Sequence, residues 1–299
     1  MPDHEISPSV RINYTIHQPQ PTTTTSTTTT NKPKPWVVLI NGLADPQTTW
    51  AAQVPAFTAA GYAVLTYDNR GVGLSSRPRS NDEVYTAETM AADLRSLVTA
   101  LNLHATPYHL MGVSMGGMIA QTYALRYGMA SDGRKSEIAS LTLACTYAAL
   151  GPFCARMFAL WRDMALRMSI ADVMRDVALW AFTPGFFADP AKREDVAAME
   201  AEMARIDTDM GLSAYLAQLN VITGFDTRAE VGRLEGTAVV VLAGEGDILI
   251  PVSLSKELHA LIPGSRWRTT KGGHACIWEF PDEFNQACLQ GWRDVEEGR

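Results

Sequence analysis

Three residues of this 299-residue chain belong to the types that perform nucleophilic chemistry together. Ser114 lies inside Gly112-Val113-Ser114-Met115-Gly116, Asp247 ends Gly244-Glu245-Gly246-Asp247, and His274 follows Lys271-Gly272-Gly273. A serine hydroxyl attacks poorly until a base takes its proton as the new bond forms. Histidine is the side chain suited to that exchange near neutral pH, and a carboxylate behind it fixes the imidazole tautomer and stabilises the imidazolium. The order Ser, Asp, His along the chain is the one that a Gly-x-Ser-x-Gly nucleophile requires. Glu245 is the rival for the acid, two residues away, and Asp247 is preferred. The bare glycine-serine pattern arises by chance in about one chain of this length in ten, so the surrounding elements carry the weight.

Those elements put all three residues at the carboxyl ends of strands. Residues 108–111 read as a buried strand and 118–126 as a helix, with Ser114 on the tight turn between them. Glycines flank the serine because side chains there would collide with neighbouring backbone. The helix amides and the positive end of the helix dipole point at the space above Ser114. The apolar strand 237–243 runs into the Asp247 loop, and a last strand near Trp267 precedes His274. Loops beyond strand carboxyl ends are where open α/β sheets bind ligands.

Upstream, residues 10–17 alternate as a half-buried strand near a sheet edge, and 36–40 and 62–67 are short apolar strands. Thr48 or Thr49 is expected to cap the helix carrying Trp50, Val54 and Phe57, and Gly61 to end it. Residues 86–103 form an amphipathic helix with Met90, Leu94, Leu97 and Leu101 on one stripe. Residues 138–144 are another buried strand, and 253–262 and 281–292 are helices. The alternation of strand and helix implies right-handed crossovers and a mostly parallel sheet. It breaks between residues 148 and 235, where the sequence is helical and rich in Met, Trp and Phe, as expected of an inserted helical lid. Trp161, Trp180 and Phe186 are the leading candidates for its substrate-facing side. Residues 1–147 and 236–299 are the expected core, with a disordered Thr/Pro-rich loop at 20–35.

Composition is that of an ordinary soluble globular protein, 46% hydrophobic and 19% charged. The net charge of −7 argues against nucleic acid or an anionic membrane as partner. The four cysteines show no CxxC spacing, and no secretory signal or membrane span is visible, so a reducing cytoplasm is the expected setting. No metal site or cofactor is indicated.

Taken together, these motifs resemble the α/β-hydrolase family. The resemblance covers nearly the whole chain outside the threonine tract, and includes the Asn41-Gly42 loop and Asp68-Asn69-Arg70-Gly71-Val72-Gly73-Leu74-Ser75. It implies an oxyanion hole made by the backbone amides of Leu43 and Met115, and a helical lid after the sixth strand. Asn41 departs from the histidine that many relatives carry, which leaves its local hydrogen bonding to be established. Serine at the elbow sets the chain apart from dehalogenase and epoxide hydrolase members, which place aspartate there. The overall look is closest to enol-lactonase-like and small carboxylesterase members. The expected reaction is acyl transfer to water from an uncharged, hydrophobic ester or lactone. A pathway tailoring enzyme using the same triad for C–C or thioester cleavage or cyclisation, and a slow-turnover ligand receptor, are the alternatives.

Overall fold

The computed structural model describes residues 1–20, 34–80, 83–129 and 136–298. The threonine tract expected to be disordered therefore lies almost entirely outside the described residues. The strands are β1 (Asp3–Ser7), β2 (Val10–His17), β3 (Val37–Ile40), β4 (Val64–Tyr67), β5 (Tyr108–Val113), β6 (Ile138–Ala144), β7 (Val239–Gly244) and β8 (Arg266–Thr270), the inner ones rich in β-branched and aliphatic residues. They form one sheet in the order β1-β2-β4-β3-β5-β6-β7-β8. From β4 to β8 every pairing is parallel, while β2 joins β4 antiparallel and β1 joins β2 antiparallel. β3, β4, β5 and β7 are buried along their whole length, as parallel strands covered on both faces must be.

Helices α1 (Gln53–Ala59), α2 (Ala87–Ala100) and α3 (Met115–Tyr123) make the first crossovers. Thr86 caps α2, its side chain accepting from Thr89 N–H. The expected cap at Thr48 or Thr49 is absent. Residues Gln47–Trp50 form a separate 3-10 turn, and Thr49 Oγ1 instead donates to Pro46 O at 2.8 Å. A proline ahead of that turn favours it over a continuous helix. The outer strand β1 has no clear alternation in sequence, which is why β2 reads there as the sheet's edge.

Between β6 and β7 the chain leaves the sheet for α4 (Pro152–Ala165), α5 (Ile170–Ala181), α6 (Pro184–Ala188), α7 (Arg193–Met203), α8 (Ile206–Asp209) and α9 (Leu212–Gly224). Their buried stripe includes Met157, Phe158, Trp161, Val173 and Tyr215, continuous with the core on one face of the sheet. After β7 come α10 (Val252–Leu261), the single turn α11 (Cys276–Glu279) and α12 (Pro281–Glu296). α12 packs Phe284, Cys288 and Trp292 onto the opposite face together with Trp50 and Phe57. Among the described residues no helix is long and apolar enough to cross a membrane.

Candidate active site

Ser114 stands between β5 and α3 at φ 56° and ψ −119°, a left-handed conformation that costs a non-glycine residue about 1–3 kcal/mol. Its neighbours make the turn possible. A Cβ at Gly112 would lie 2.1 Å from Gly116 O, and one at Gly116 would lie 2.2 Å from Ile40 O, so neither position tolerates a side chain. The turn is held from β6, because Ser114 N–H donates to Ala144 O at 2.9 Å and Thr146 Oγ1 donates to Ser114 O at 2.9 Å. Strain of this kind persists only where surrounding bonds over-determine it.

Asp247 and His274 come together across the ends of β7 and β8. His274 Nδ1 lies 2.9 Å from Asp247 Oδ2, and the other carboxylate oxygen accepts from Ile250 N–H at 2.9 Å. Asp247 is buried and so oriented from both sides. Glu245, the rival acid, is exposed and accepts from Thr269 Oγ1, on the outside of the same turn. Ser114 and His274 line one cavity of about 710 Å³, whose wall also includes Leu43. Met115 opens α3 directly after the serine and is fully buried.

The loop after β3 is built to a defined shape. Asn41 Nδ2 donates to Pro46 O and to Thr49 Oγ1, and Asn41 Oδ1 accepts from Trp50 Nε1–H at 2.9 Å. The asparagine thus ties the loop to the turn behind it. Gln218 of α9, fully buried, accepts from Ala44 N–H at 2.9 Å and donates to Arg70 O at 2.8 Å, bridging two loops at the carboxyl edge. Arg70 itself is paired with Asp93 through Nε and Nη2.

Three features escaped the sequence. Glu279 is buried and accepts from Gly273 N–H at 2.7 Å and from Thr183 N–H and Oγ1, fastening the His274 loop to the segment after α5. Asp45 lines the cavity next to Ser114, where burial and the nearby negative charge of Glu202 push its carboxyl up to about 7. Cys145 and Cys276 place their sulfurs 3.6 Å apart, with Cys145 Sγ within 4.8 Å of side-chain atoms of Asp247 and His274, and the hydrogen bond with Cys276 followed by burial drives the Cys145 thiol upward. A glutamate five residues after the histidine was the only available hint of Glu279.

Of the three aromatic candidates, Trp161 and Phe186 are in the cavity wall. Trp180 is not. It lies against Phe153 at 6.0 Å, outside the wall, because its position on α5 turns it away from the face carrying Met174, Val177 and Ala178. Phe182 and Trp278 belong to the wall instead, stacked at 6.0 Å, with Phe182 stacked on Phe186 at 4.4 Å.

An exposed-edge serine on a strained elbow and a buried carboxylate–imidazole pair facing one apolar cavity can perform acyl transfer. The sequence pattern of the alpha/beta hydrolase fold family matches residues 35–281, and the chain belongs to that family. Its curated relatives include "Putative carbamate hydrolase RutD" of Klebsiella pneumoniae, 30% identical over 268 residues covering 87% of this chain and 93% of the relative. Among solved structures, a hydrolase from Pseudomonas aeruginosa superposes with a TM-score of 0.78 at 26% identity, covering 97% of both chains. The enol-lactonase from Burkholderia xenovorans superposes equally well, TM-score 0.78 at 22% identity over 97% of this chain and 99% of its own, which speaks for the fold alone.

Proposed function

We propose that this hydrolase is a serine hydrolase that cleaves small hydrophobic carboxylic esters or lactones through an acyl-enzyme on Ser114. The observation that carries the reading is the His274–Asp247 hydrogen bond of 2.9 Å at the cavity into which Ser114 opens. His274 takes the hydroxyl proton as Ser114 attacks the acyl carbon, then gives it to the leaving alkoxide. Water enters by the same route in reverse, and Asp247 stays ionised behind the imidazole throughout. The N–H groups of Leu43 and Met115 hold the oxyanion, the second aided by the α3 dipole. The helices α4 to α9 serve as the lid. Phe158, Trp161, Phe182 and Phe186 offer the acyl chain an apolar wall, favouring an uncharged substrate.

The relatives named as carbamate hydrolases favour one variant of this reading, because a carbamate ester presents the same acyl carbon to the same nucleophile. The test is labelling by a fluorophosphonate, with the adduct located by mass spectrometry, followed by rates on esters, lactones and carbamate esters of graded chain length. A Ser114-phosphonyl adduct and turnover of short esters are expected. Labelling elsewhere, or a Ser114→Ala variant that retains wild-type turnover, refutes the assignment.

A further inference from the structure

Asp45 is the cavity's unexplained carboxyl. It ends the loop that carries Leu43, is partly buried with its open side on the cavity, and accepts a hydrogen bond from Gly42 N–H. A Cβ added at Gly42 would lie 2.7 Å from Asp45 Oδ2 and 3.6 Å from Ser114 Cβ, so the carboxyl and the serine approach the same point beside Gly42, the residue before Leu43. No arginine or lysine pairs with it among the described residues. An ionised carboxylate there would oppose the negative charge that an attacked acyl group develops.

We infer that Asp45 is a further catalytic residue, a carboxylic acid that in its protonated form donates a hydrogen bond to the acyl oxygen of the substrate attacked by Ser114. The inference rests on the serine-hydrolase reading and deepens it. The proton remains on Asp45, so no bond to Asp45 is made or broken. The residue is a neutral donor added to two backbone amides, a role that a buried carboxyl can fill when its surroundings keep it uncharged.

Its surroundings do so. Burial contributes most, followed by the negative charge of Glu202 on α7, while His274 and the Gly42 N–H favour ionisation less strongly, and the carboxyl titrates at about 7. The other charged side chains on the cavity wall are Asp68, Lys192, Asp195, Arg205 and Asp209, and Met1 also lines it. Below neutrality Asp45 is a donor; above it, a repelling anion. Losing one oxyanion donor typically costs about a hundred-fold to a thousand-fold in turnover.

The experiment follows kcat/KM for p-nitrophenyl butyrate, and the rate of fluorophosphonate labelling of Ser114, from pH 5.5 to 9. Wild-type protein is expected to rise as its imidazole loses the proton and then to fall above about pH 7, by at least about ten-fold at pH 8.5. Asp45→Asn cannot ionise, so its ratio of rates at pH 8.5 and 6.5 should exceed the wild-type ratio by about ten-fold or more, whatever its absolute rate. Glu202→Gln, on an exposed helix face, should move the falling limb to lower pH because Asp45 then ionises more easily. It also keeps the test available if Asp45→Asn misfolds. A wild-type profile with no falling limb, or one that neither substitution moves, overturns the assignment of Asp45 alone. Absence of any Ser114 labelling in folded wild-type protein overturns both this inference and the hydrolase reading.

Discussion

Replacing Glu279 with alanine tests how the His274 loop is held. The carboxylate receives three hydrogen bonds, from Gly273 N–H at 2.7 Å, Thr183 N–H at 3.2 Å and Thr183 Oγ1 at 2.5 Å. Gly273 is buried, so its N–H loses its partner without gaining water, at a cost of about 1–3 kcal/mol. Thr183 is partly exposed and can be rehydrated, so its two bonds add less, about 1 kcal/mol together. Relief of a buried carboxylate works in the other direction, and a loss of about 2–3 kcal/mol follows. For a chain of this size that lowers Tm by roughly 3–5 °C. The larger effect is on turnover. Gly273 precedes His274, and Ala275 N–H is bonded to Ala181 O at 2.9 Å, so His274, the proposed base, is held on both sides to the end of α5 and the residues after it. Releasing one side moves the imidazole, and a misplacement of about 1 Å costs on the order of a hundred-fold. Thermal melts and steady-state kinetics on a short ester should show kcat falling by about ten-fold to a hundred-fold with KM changed little. Glu279→Gln, which keeps one acceptor oxygen, should fall between. A Tm within about 2 °C of wild type and a kcat within about two-fold would refute this account of the loop.

Other outcomes can be stated briefly. Asp247→Asn should favour the wrong imidazole tautomer and lower kcat about ten-thousand-fold, whereas Glu245→Gln, removing only the exposed bond to Thr269, should change it little. Trp161→Ala empties a position that is both in the cavity wall and fully buried, with Nε1 bonded to Asp176 at 2.8 Å, and should cost about 3–5 kcal/mol while shifting acyl-chain preference. Trp180→Ala, outside the wall, should leave that preference unchanged. Asp45 carries its proton more tightly folded than unfolded, about 7 against 3.8, so wild-type stability falls as pH rises between these values and is flat above. Asp45→Asn should therefore melt above wild type at pH 8, with the difference shrinking toward pH 4.

The parallel core and the placement of Ser114, Asp247 and His274 at strand ends were legible because each depends on local signals. Short apolar runs bounded by Gly or Pro mark buried strands, and Gly112 and Gly116 mark a turn that excludes side chains. The direction of a helical side chain is not local. Trp161 and Trp180 have the same residue type and both lie in an apolar helical stretch, yet one lines the cavity and the other covers Phe153. Which stripe of α5 faces inward depends on how α5 packs against α4, α7 and α8, and periodicity alone leaves that rotation open. Glu279 and Gln218 are hidden for a related reason. Their partners lie up to 96 and 174 positions away, and a polar residue whose bonds are made in three dimensions looks like any surface residue in one.

Those hidden residues share one pattern. Gln218, on α9, fixes Ala44 and Arg70 in the loops that follow β3 and β4. Thr183 and Ala181, at the end of α5, fix Gly273 through Glu279 and Ala275 directly, on either side of His274. Among the described residues the Ser114 turn takes its hydrogen bonds to other elements from β6 and the segment after it, and none from α4–α9. Ser114 is thus held by the sheet, while the Ala44 loop and His274 are tied to helices inserted between two strands. If His274 and the loop after β3 act as proposed, this arrangement couples pocket shape to catalytic geometry, because a change that reshapes α5 or α9 also moves His274 or Ala44. On that reading substrate preference and turnover do not vary independently there, and α4, whose Phe158 and Trp161 line the cavity, is itself tied to the Asp247 loop because Cys154 Sγ donates to Leu249 O at 3.5 Å.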